Sequence, residues 1–477
     1  MNSPLKPVPE SAGAPVEQKG SAAYLYLAAA VAATAGLLFG FDIAVINGAI
    51  VFLQQQFHLN TVQTEMATSS LLFGCIFGSS LAGWFTDRFG RRRVLMFSAV
   101  GFAASALGAA IPQNLSQFLL ARFIGGLAIG AGSVLAPLYI AEVSPPRSRG
   151  RLVSLNQMAI VIGILVAYLA NWGLSFLGLV SWRYMFAVAA LPSLALFVAL
   201  FFVPESPRWL VETGRSPEAF SVLSRIDGAA VAAQELQEIE RTVADETGSL
   251  AQLLHPAFRK PLVIAISLAI LQQITGINTV LFYGALIFTQ HVGQHNESAA
   301  IFANVIVGFV NAVATLAALW IIDRTGRRPL LMISSGVMAF AQTGLALAFL
   351  SATPSAALVL TMMLFCMAAF AIGLGPGYWV LVAEIFPTRI RGRAMSIATF
   401  CLWCACTLLT MTFLSLAKAL SPTGAFLIYA GFCVITFLLV WLVIPETKGR
   451  TLEEIEHSWH QSASLPLSRR AGVRPLK

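Results

Sequence analysis

Apolar runs of about 20 residues, bounded by polar or charged clusters, recur along nearly the whole chain, and each is long enough to cross the ~30 Å hydrocarbon of a bilayer as a helix. They fall near 24–47, 66–86, 94–112, 118–141, 152–174, 183–203, 260–289, 298–322, 329–350, 357–384, 394–417 and 424–444. The pattern predicts an all-α polytopic membrane protein with twelve transmembrane helices. The first run lacks the charged flank and small-residue cleavage site of a signal peptide and leads straight into further spans, so it is expected to stay as a helix.

Composition agrees with the pattern. Of 477 residues 57% are hydrophobic and 11% charged, with a mean hydropathy of +0.77, against roughly 25% charged in soluble domains. Too few charges exist to tile a water-facing surface, so most of the outer surface must meet lipid. With the amino terminus placed in the cytoplasm, the segments on that side collect Arg88, Arg91, Arg92 and Arg93, then Arg147, Arg149 and Arg151, then Arg324, Arg327 and Arg328. The other side keeps Arg183 and Lys418, both beside helix ends. This is the positive-inside asymmetry, so the formal charge of +8 reports topology, and no solvated basic face with interleaved aromatics suggests a nucleic-acid partner. The expected location is the cell (inner or plasma) membrane, multi-pass, with both termini cytoplasmic.

All six cysteines fall inside predicted spans, and Cys401 and Cys404, although spaced CxxC, lack a His or acidic partner, so they are read as small apolar packing residues. No metal cluster, nucleophile–base pair or phosphate loop appears, so no enzyme, metal or cofactor is expected.

The sequence repeats itself. Asp87-Arg-Phe-Gly-Arg-Arg92 returns as Asp323-Arg-Thr-Gly-Arg-Arg328, 236 residues on; Ala141-Glu-Val-Ser-Pro145 returns as Ala383-Glu-Ile-Phe-Pro387, 242 on; Pro204-Glu205 returns as Pro445-Glu446, 241 on. Three cassettes in one order at nearly one spacing mark a duplication, with six spans in each half. The expected divisions are an amino-terminal segment 1–23, a six-helix bundle 24–203, a cytoplasmic linker of short amphipathic helices 204–258, a second bundle 259–444 and a cytoplasmic tail 445–477. Duplicated halves with a site at their interface are a recurring transporter plan.

Asp42 is the one acid placed well inside a span and Arg122 the one base. Either charge alone near the bilayer centre costs roughly 2.5–3.5 kcal/mol, so the two should find each other. A static salt bridge pinning the first span to the fourth is one reading. The other is a proton switch: the proton affinity of a carboxylate depends on how near a permanently charged guanidinium lies, so moving Arg122 between conformations couples protonation to the cycle.

Several longer motifs carry a family likeness: Gly83 through Asp87-Arg88 to Gly90-Arg91-Arg92; Pro204-Glu-Ser-Pro-Arg208; Gln272-Gln273 with Gly276-Ile-Asn278; Gly375-Pro376 with Trp379; and Pro445-Glu-Thr-Lys-Gly449-Arg-Thr-Leu-Glu-Glu454. Together, over essentially all of 24–457, the chain resembles the sugar porter branch of the major facilitator superfamily. The resemblance implies two pseudo-symmetric six-helix bundles and an alternating-access carrier for a monosaccharide (hexose or pentose) or related polyol. Proton-coupled members have an Asp and an Arg at the places of Asp42 and Arg122, which implies symport with a proton. The partners implied are sugar, proton and lipid bilayer, in a chain acting as a monomer.

Sugar hydroxyls need planar amides and an aromatic face. Gln157, Gln272, Gln273, Asn278, Asn311, Trp379 and Trp403 supply these within the spans, and by resemblance they and Phe39 match sugar-contacting positions. Each alone is equally an interhelical hydrogen bond or a buried ring. Gly276 can loosen the helix and aim Gln272, Gln273 and Asn278 at a cavity. The family often has Tyr where this chain has Phe282 and an amide where it has Leu402, so the polar set is thinner here. The repeated cassettes suggest a cytoplasmic gate of Asp87, Arg91, Arg92, Glu142, Arg149, Glu205, Arg208, Arg327, Glu384 and Arg391, in which Glu142 with Arg149 and Glu384 with Arg391 form charge pairs across the halves when the cytoplasmic side is closed. Helix capping and topology alone are the plainer account of these charges. A passive facilitator and a non-transporting sugar sensor are the alternatives. The first is set back by Asp42 with Arg122, the second by a tail of only about 20 residues.

Overall fold

A computed structural model describes residues 20–245, 255–291, 297–351, 353–386, 388–448 and 454. The segment before Gly20, the end of the expected linker at 246–254 and the tail after Lys448, apart from Glu454, lie outside the described residues. The first half runs α1 (Ala22–Phe57), α2 (Thr61–Phe89), α3 (Arg91–Ala110), α4 (Leu115–Val143) and α5 (Arg149–Leu174), then a 3₁₀ turn (Ser175–Val180), α6 (Ser181–Ala187) and α7 (Ala190–Ala199). Short helices α8 (Pro207–Glu212), α9 (Ser216–Asp227) and α10 (Ala229–Asp245) follow. The second half runs α11 (Pro256–Ile274), α12 (Ile277–His291), α13 (Glu297–Thr325), α14 (Arg327–Ala348), α15 (Ala356–Ala369), a π turn (Phe370–Leu374), α16 (Gly375–Ile385) and α17 (Thr388–Val443).

Among the described residues ten helical stretches are long and apolar enough to cross a membrane, and two of them, 149–199 and 390–443, are about twice the needed length. The first turns at Gly178 (φ 75°) and the second at Ser421 (φ 65°, ψ 160°) just before Pro422, which cannot continue an intrahelical bond. Each therefore crosses twice, giving twelve crossings in two six-helix bundles. An even number returns Gly20 and Lys448, the outer described residues of the two bundles, to one face, which also carries the Arg-rich loops and α8–α10. The duplication survives to the residue: α2 and α13 start 236 positions apart (61 and 297) and end 236 apart (89 and 325).

Helix starts follow local chemistry. Asn60 and Gln63 form a reciprocal capping box on α2, and Asn114 Oδ1 accepts from Gln117 N (3.0 Å) on α4. Within the first half, glycines set how closely helices pack, since apolar burial gives little drive in lipid. A Cβ on Gly40 of α1 would stand 1.8 Å from the Ile160 carbonyl of α5, and one on Gly126 of α4 2.0 Å from the Leu71 carbonyl of α2. The most apolar stretch of α1 is 83% buried, which places α1 at the centre of its half.

The halves meet where α1 lies on α12, α2 on α17 and α5 on α13. Hydrogen bonds between them gather on the face away from the termini. Asn47 Nδ2 donates to the Leu281 carbonyl (2.7 Å) while its Oδ1 accepts from Ala285 N (2.9 Å), Tyr168 Oη donates to the Leu281 carbonyl (3.0 Å), and Ser175 Oγ bonds Ser298 Oγ (2.9 Å). Glu65 accepts from Ser415 N and Oγ (2.7 and 2.6 Å), and Gln55 bonds Glu297.

Candidate functional site

Asp42, just past the α1–α5 contact at Gly40, meets Arg122 of α4. Arg122 is fully buried; its Nη1 donates to Asp42 Oδ1 and its Nη2 to the Asp42 backbone carbonyl (2.9 Å). The guanidinium also lies over the Phe186 ring, 5.1 Å from its centroid, while its Nε–H has no acceptor among the described residues. The pair that membrane energetics demands is formed, between α1 and α4 of one half.

The polar set centres on a break in the seventh crossing. Between α11 and α12 the chain passes through Gly276 at φ 85°, a left-handed conformation that costs a glycine nothing. The Thr275 carbonyl freed there accepts from Gln342 Nε2 (2.7 Å), so the break is satisfied by the neighbouring α14. The break brings Gln273 and Asn278 together, Asn278 Nδ2 donating to Gln273 Oε1 (2.7 Å). Gln272 Nε2 and the buried indole Nε1 of Trp403 have no protein partner among the described residues. Trp403 touches Phe39 edge-on across the two halves, ring centroids 5.8 Å apart. Asn311 is buried on α13 and Gln157 half-buried on α5. Trp379 is partly exposed on α16, edge-on to Tyr378. These three make no hydrogen bond to the others among the described residues. Phe282 and Leu402, the thinner positions, are both buried.

The charged cassettes are built on one plan in both halves. At the start of α3, Gly90 (φ 90°) turns the chain and Glu205 caps the helix, accepting from Arg92 N (3.0 Å). A carboxylate at a helix amino terminus meets both free N–H groups and the positive end of the dipole. Arg91 then reaches Glu142 in a fork (Nε and Nη2, both 3.0 Å), and Ser206 Oγ donates to the same carboxylate (2.5 Å). In the second half Gly326 (φ 94°), Glu446, Arg328 N (3.1 Å), Arg327 on Glu384 (2.9 Å) and Thr447 Oγ1 on Glu384 (2.6 Å) repeat every contact. A Cβ on Gly90 would stand 2.4 Å from Glu205 Oε2, so both the turn and the cap require glycine.

In this structure the fork to Glu142 comes from Arg91 and the fork to Glu384 from Arg327. Arg149 and Arg391 each bend back to a carbonyl five residues upstream, Ser144 (3.5 Å) and Phe386 (3.4 Å), so they finish a loop while the α3 and α14 arginines arrive from the turn at Gly90 and Gly326. Arg91 also takes Glu212 (3.2 Å), which Arg208 holds from one turn away (3.1 Å). Asp87 sits at the edge, its carboxyl mostly exposed and 4.0 Å from Arg91. Reasoning from sequence missed Asn47, Glu65 and Tyr168 on the closed face; the only signal was a lone amide or acid at the margin of an apolar run.

Comparison with known proteins places this architecture. The family described as "Sugar (and other) transporter" matches residues 28–459, and the chain belongs to it. The arabinose-proton symporter of Bacillus subtilis is 38% identical over 93% of this chain and 97% of its own length. The D-xylose-proton symporter of Escherichia coli K12 is 37% identical over 92% of this chain and 96% of its own. The xylose transporter XylE from E. coli, solved in a partially occluded inward-open conformation, superposes with a TM-score of 0.81 at 35% identity, covering 90% of this chain and 100% of that one.

Proposed function

We propose that this chain imports a monosaccharide, a pentose or hexose, together with a proton, by alternating access. The observation that carries the reading is the buried Asp42–Arg122 pair: a carboxylate at membrane depth whose partner charge is permanent. Protonating Asp42 cancels one member of the pair, so Arg122 must find other acceptors, and any conformation that supplies them binds the proton more tightly; by linkage the proton then drives that conformation. The arabinose- and xylose-proton names of the relatives support the same coupling.

Sugar binds between the halves near the break at Gly276. The unpaired donors Gln272 Nε2 and Trp403 Nε1 support this, because buried polar atoms without a partner are uncommon and a bound hydroxyl or water completes them. Phe39 and Trp403 offer the ring face; Gln157, Gln273, Asn278, Asn311 and Trp379 complete the set. The termini-bearing face is cytoplasmic by its arginines, and bonds between the halves gather at the other face, so the conformation is inward-facing in the plasma membrane. The two cassettes act as a cytoplasmic gate whose pairs re-sort between and within halves as that face closes. One chain holds both halves and a complete site, so the monomer is the working unit.

The test is uptake of labelled L-arabinose, D-xylose and D-galactose into proteoliposomes with and without an imposed pH gradient. Accumulation above equilibrium for one of them, only with the gradient, is the expected result. Equal final levels in both conditions make the protein a facilitator instead.

A further inference from the structure

Glu65 is the second acid buried in the membrane region, and neither proton coupling nor sugar binding uses it. It lies in the first turn and a half of α2, on the face away from the termini, and is 3% exposed. Its carboxylate has no cationic partner among the described residues. Both oxygens are instead taken by one residue of the other half: Oε1 by Ser415 N and Oε2 by Ser415 Oγ, at 2.7 and 2.6 Å. Tyr283 and Tyr429, also of the second half, are the titratable groups that face it. Tyr283 packs at a tilt against Phe413 (ring centroids 5.2 Å apart) and donates to the Thr410 carbonyl (2.7 Å), so Ser415 is presented from a firmly packed stretch of α17. A buried carboxylate is tolerated only while its acceptors are filled, and here the partner that fills them belongs entirely to the opposite bundle.

We infer that the Glu65–Ser415 contact is a latch that exists only while the outer face is closed, and that it sets the balance between inward-facing and outward-facing carrier. The inference rests on the alternating-access reading above. When the bundles part, Ser415 leaves and water replaces it, so the two charge-assisted bonds favour one state alone. A contact made in one state shifts the equilibrium by the whole of its differential strength. Glu65 is thus a positioning residue for transport: it touches neither sugar nor proton and determines how often the site faces outward.

The experiment uses Ser298→Cys as a reporter, in a chain whose six native cysteines are replaced by alanine. Ser298 is half-buried on the closing face and bonds Ser175 of the other half, so parting the bundles exposes it. Labelling by a membrane-impermeant maleimide should rise about tenfold in Glu65→Gln, the factor expected when a hydrogen bond to a charged group is lost. Ser415→Ala, which keeps the backbone N–H, should give a smaller rise. In the Ser415→Ala background the Glu65→Gln effect should shrink, since the two residues share one interaction. The external KM for sugar should fall in parallel, because the outward state is more populated, without a matching rise in maximal rate. Unchanged labelling in both single variants overturns the latch, and if Glu65→Gln does not reach the membrane, Ser415→Ala carries the measurement alone. Labelling needs no sugar, so a protein that labels as expected but accumulates none fails the transport reading and not the latch.

Discussion

Asp42→Asn should abolish pH-driven accumulation of sugar while leaving exchange of labelled for unlabelled sugar across the membrane measurable. Asparagine has nearly the shape of aspartate and keeps an acceptor for Arg122 Nη1. The second bond, from Nη2 to the backbone carbonyl of residue 42 (2.9 Å), does not depend on the side chain at all. What is lost is the charge and the ability to carry a proton, so the coupling goes while the cavity stays. Removing one member of a buried pair also leaves Arg122 uncompensated, at a cost of about 3–5 kcal/mol; the Phe186 ring 5.1 Å away recovers part of it. A lowered unfolding temperature should therefore accompany the uncoupling. Asp42→Asn combined with Arg122→Leu should restore stability but not accumulation, which separates the two effects. Uphill uptake persisting in Asp42→Asn would remove this residue from the coupling mechanism.

The crossings were legible because bilayer thickness fixes helix length, and a lone charge in an apolar run must be explained wherever it falls. That is why Asp42 and Arg122 could be paired across 80 positions. The two cassettes were also visible as repeats, yet their internal wiring was not. Arg149 lies seven positions after Glu142 and Arg91 fifty-one before it, so proximity along the chain does not single out the partner taken in this structure. That partner is chosen by Gly90, whose positive φ lays the first turn of α3 against Glu205 and points Arg91 at Glu142. The repeated Pro-Glu at 204–205 and 445–446 was conspicuous in the sequence, but its cause, a carboxylate capping a helix more than a hundred residues earlier, exists only once the bundle is assembled. The closed face was least legible. Asn47 is a single amide in an apolar helix, and its place between the Leu281 carbonyl and Ala285 N–H, the two groups a helix would itself join, depends on the packing of α1 against α12 from the other half.

The likeness of the cassettes makes their difference in burial measurable. Arg91→Ala should destabilise the protein more than Arg327→Ala, although the two arginines make the same fork to the same kind of carboxylate. The Glu142 side chain is 7% exposed and that of Glu384 26%. Without Arg91, Glu142 retains Ser206 Oγ as a donor but little access to water, so the cost is that of an uncompensated buried charge, about 3–5 kcal/mol. Arg91→Ala also frees Glu212 of α8, so the linker loses a hold on the first half. Without Arg327, Glu384 keeps Thr447 Oγ1 and can be hydrated, which limits the cost to about 1–3 kcal/mol. Thermal unfolding in detergent should show the larger fall for Arg91→Ala. Arg91→Lys should fall between, because an ammonium cannot reproduce the two-pronged contact of a guanidinium. Adding Glu142→Gln to Arg91→Ala should return part of the loss, since the neutral amide removes the stranded charge. Equal losses for the two alanine variants would mean that water reaches both carboxylates alike, and that the first cassette is no more deeply set than the second.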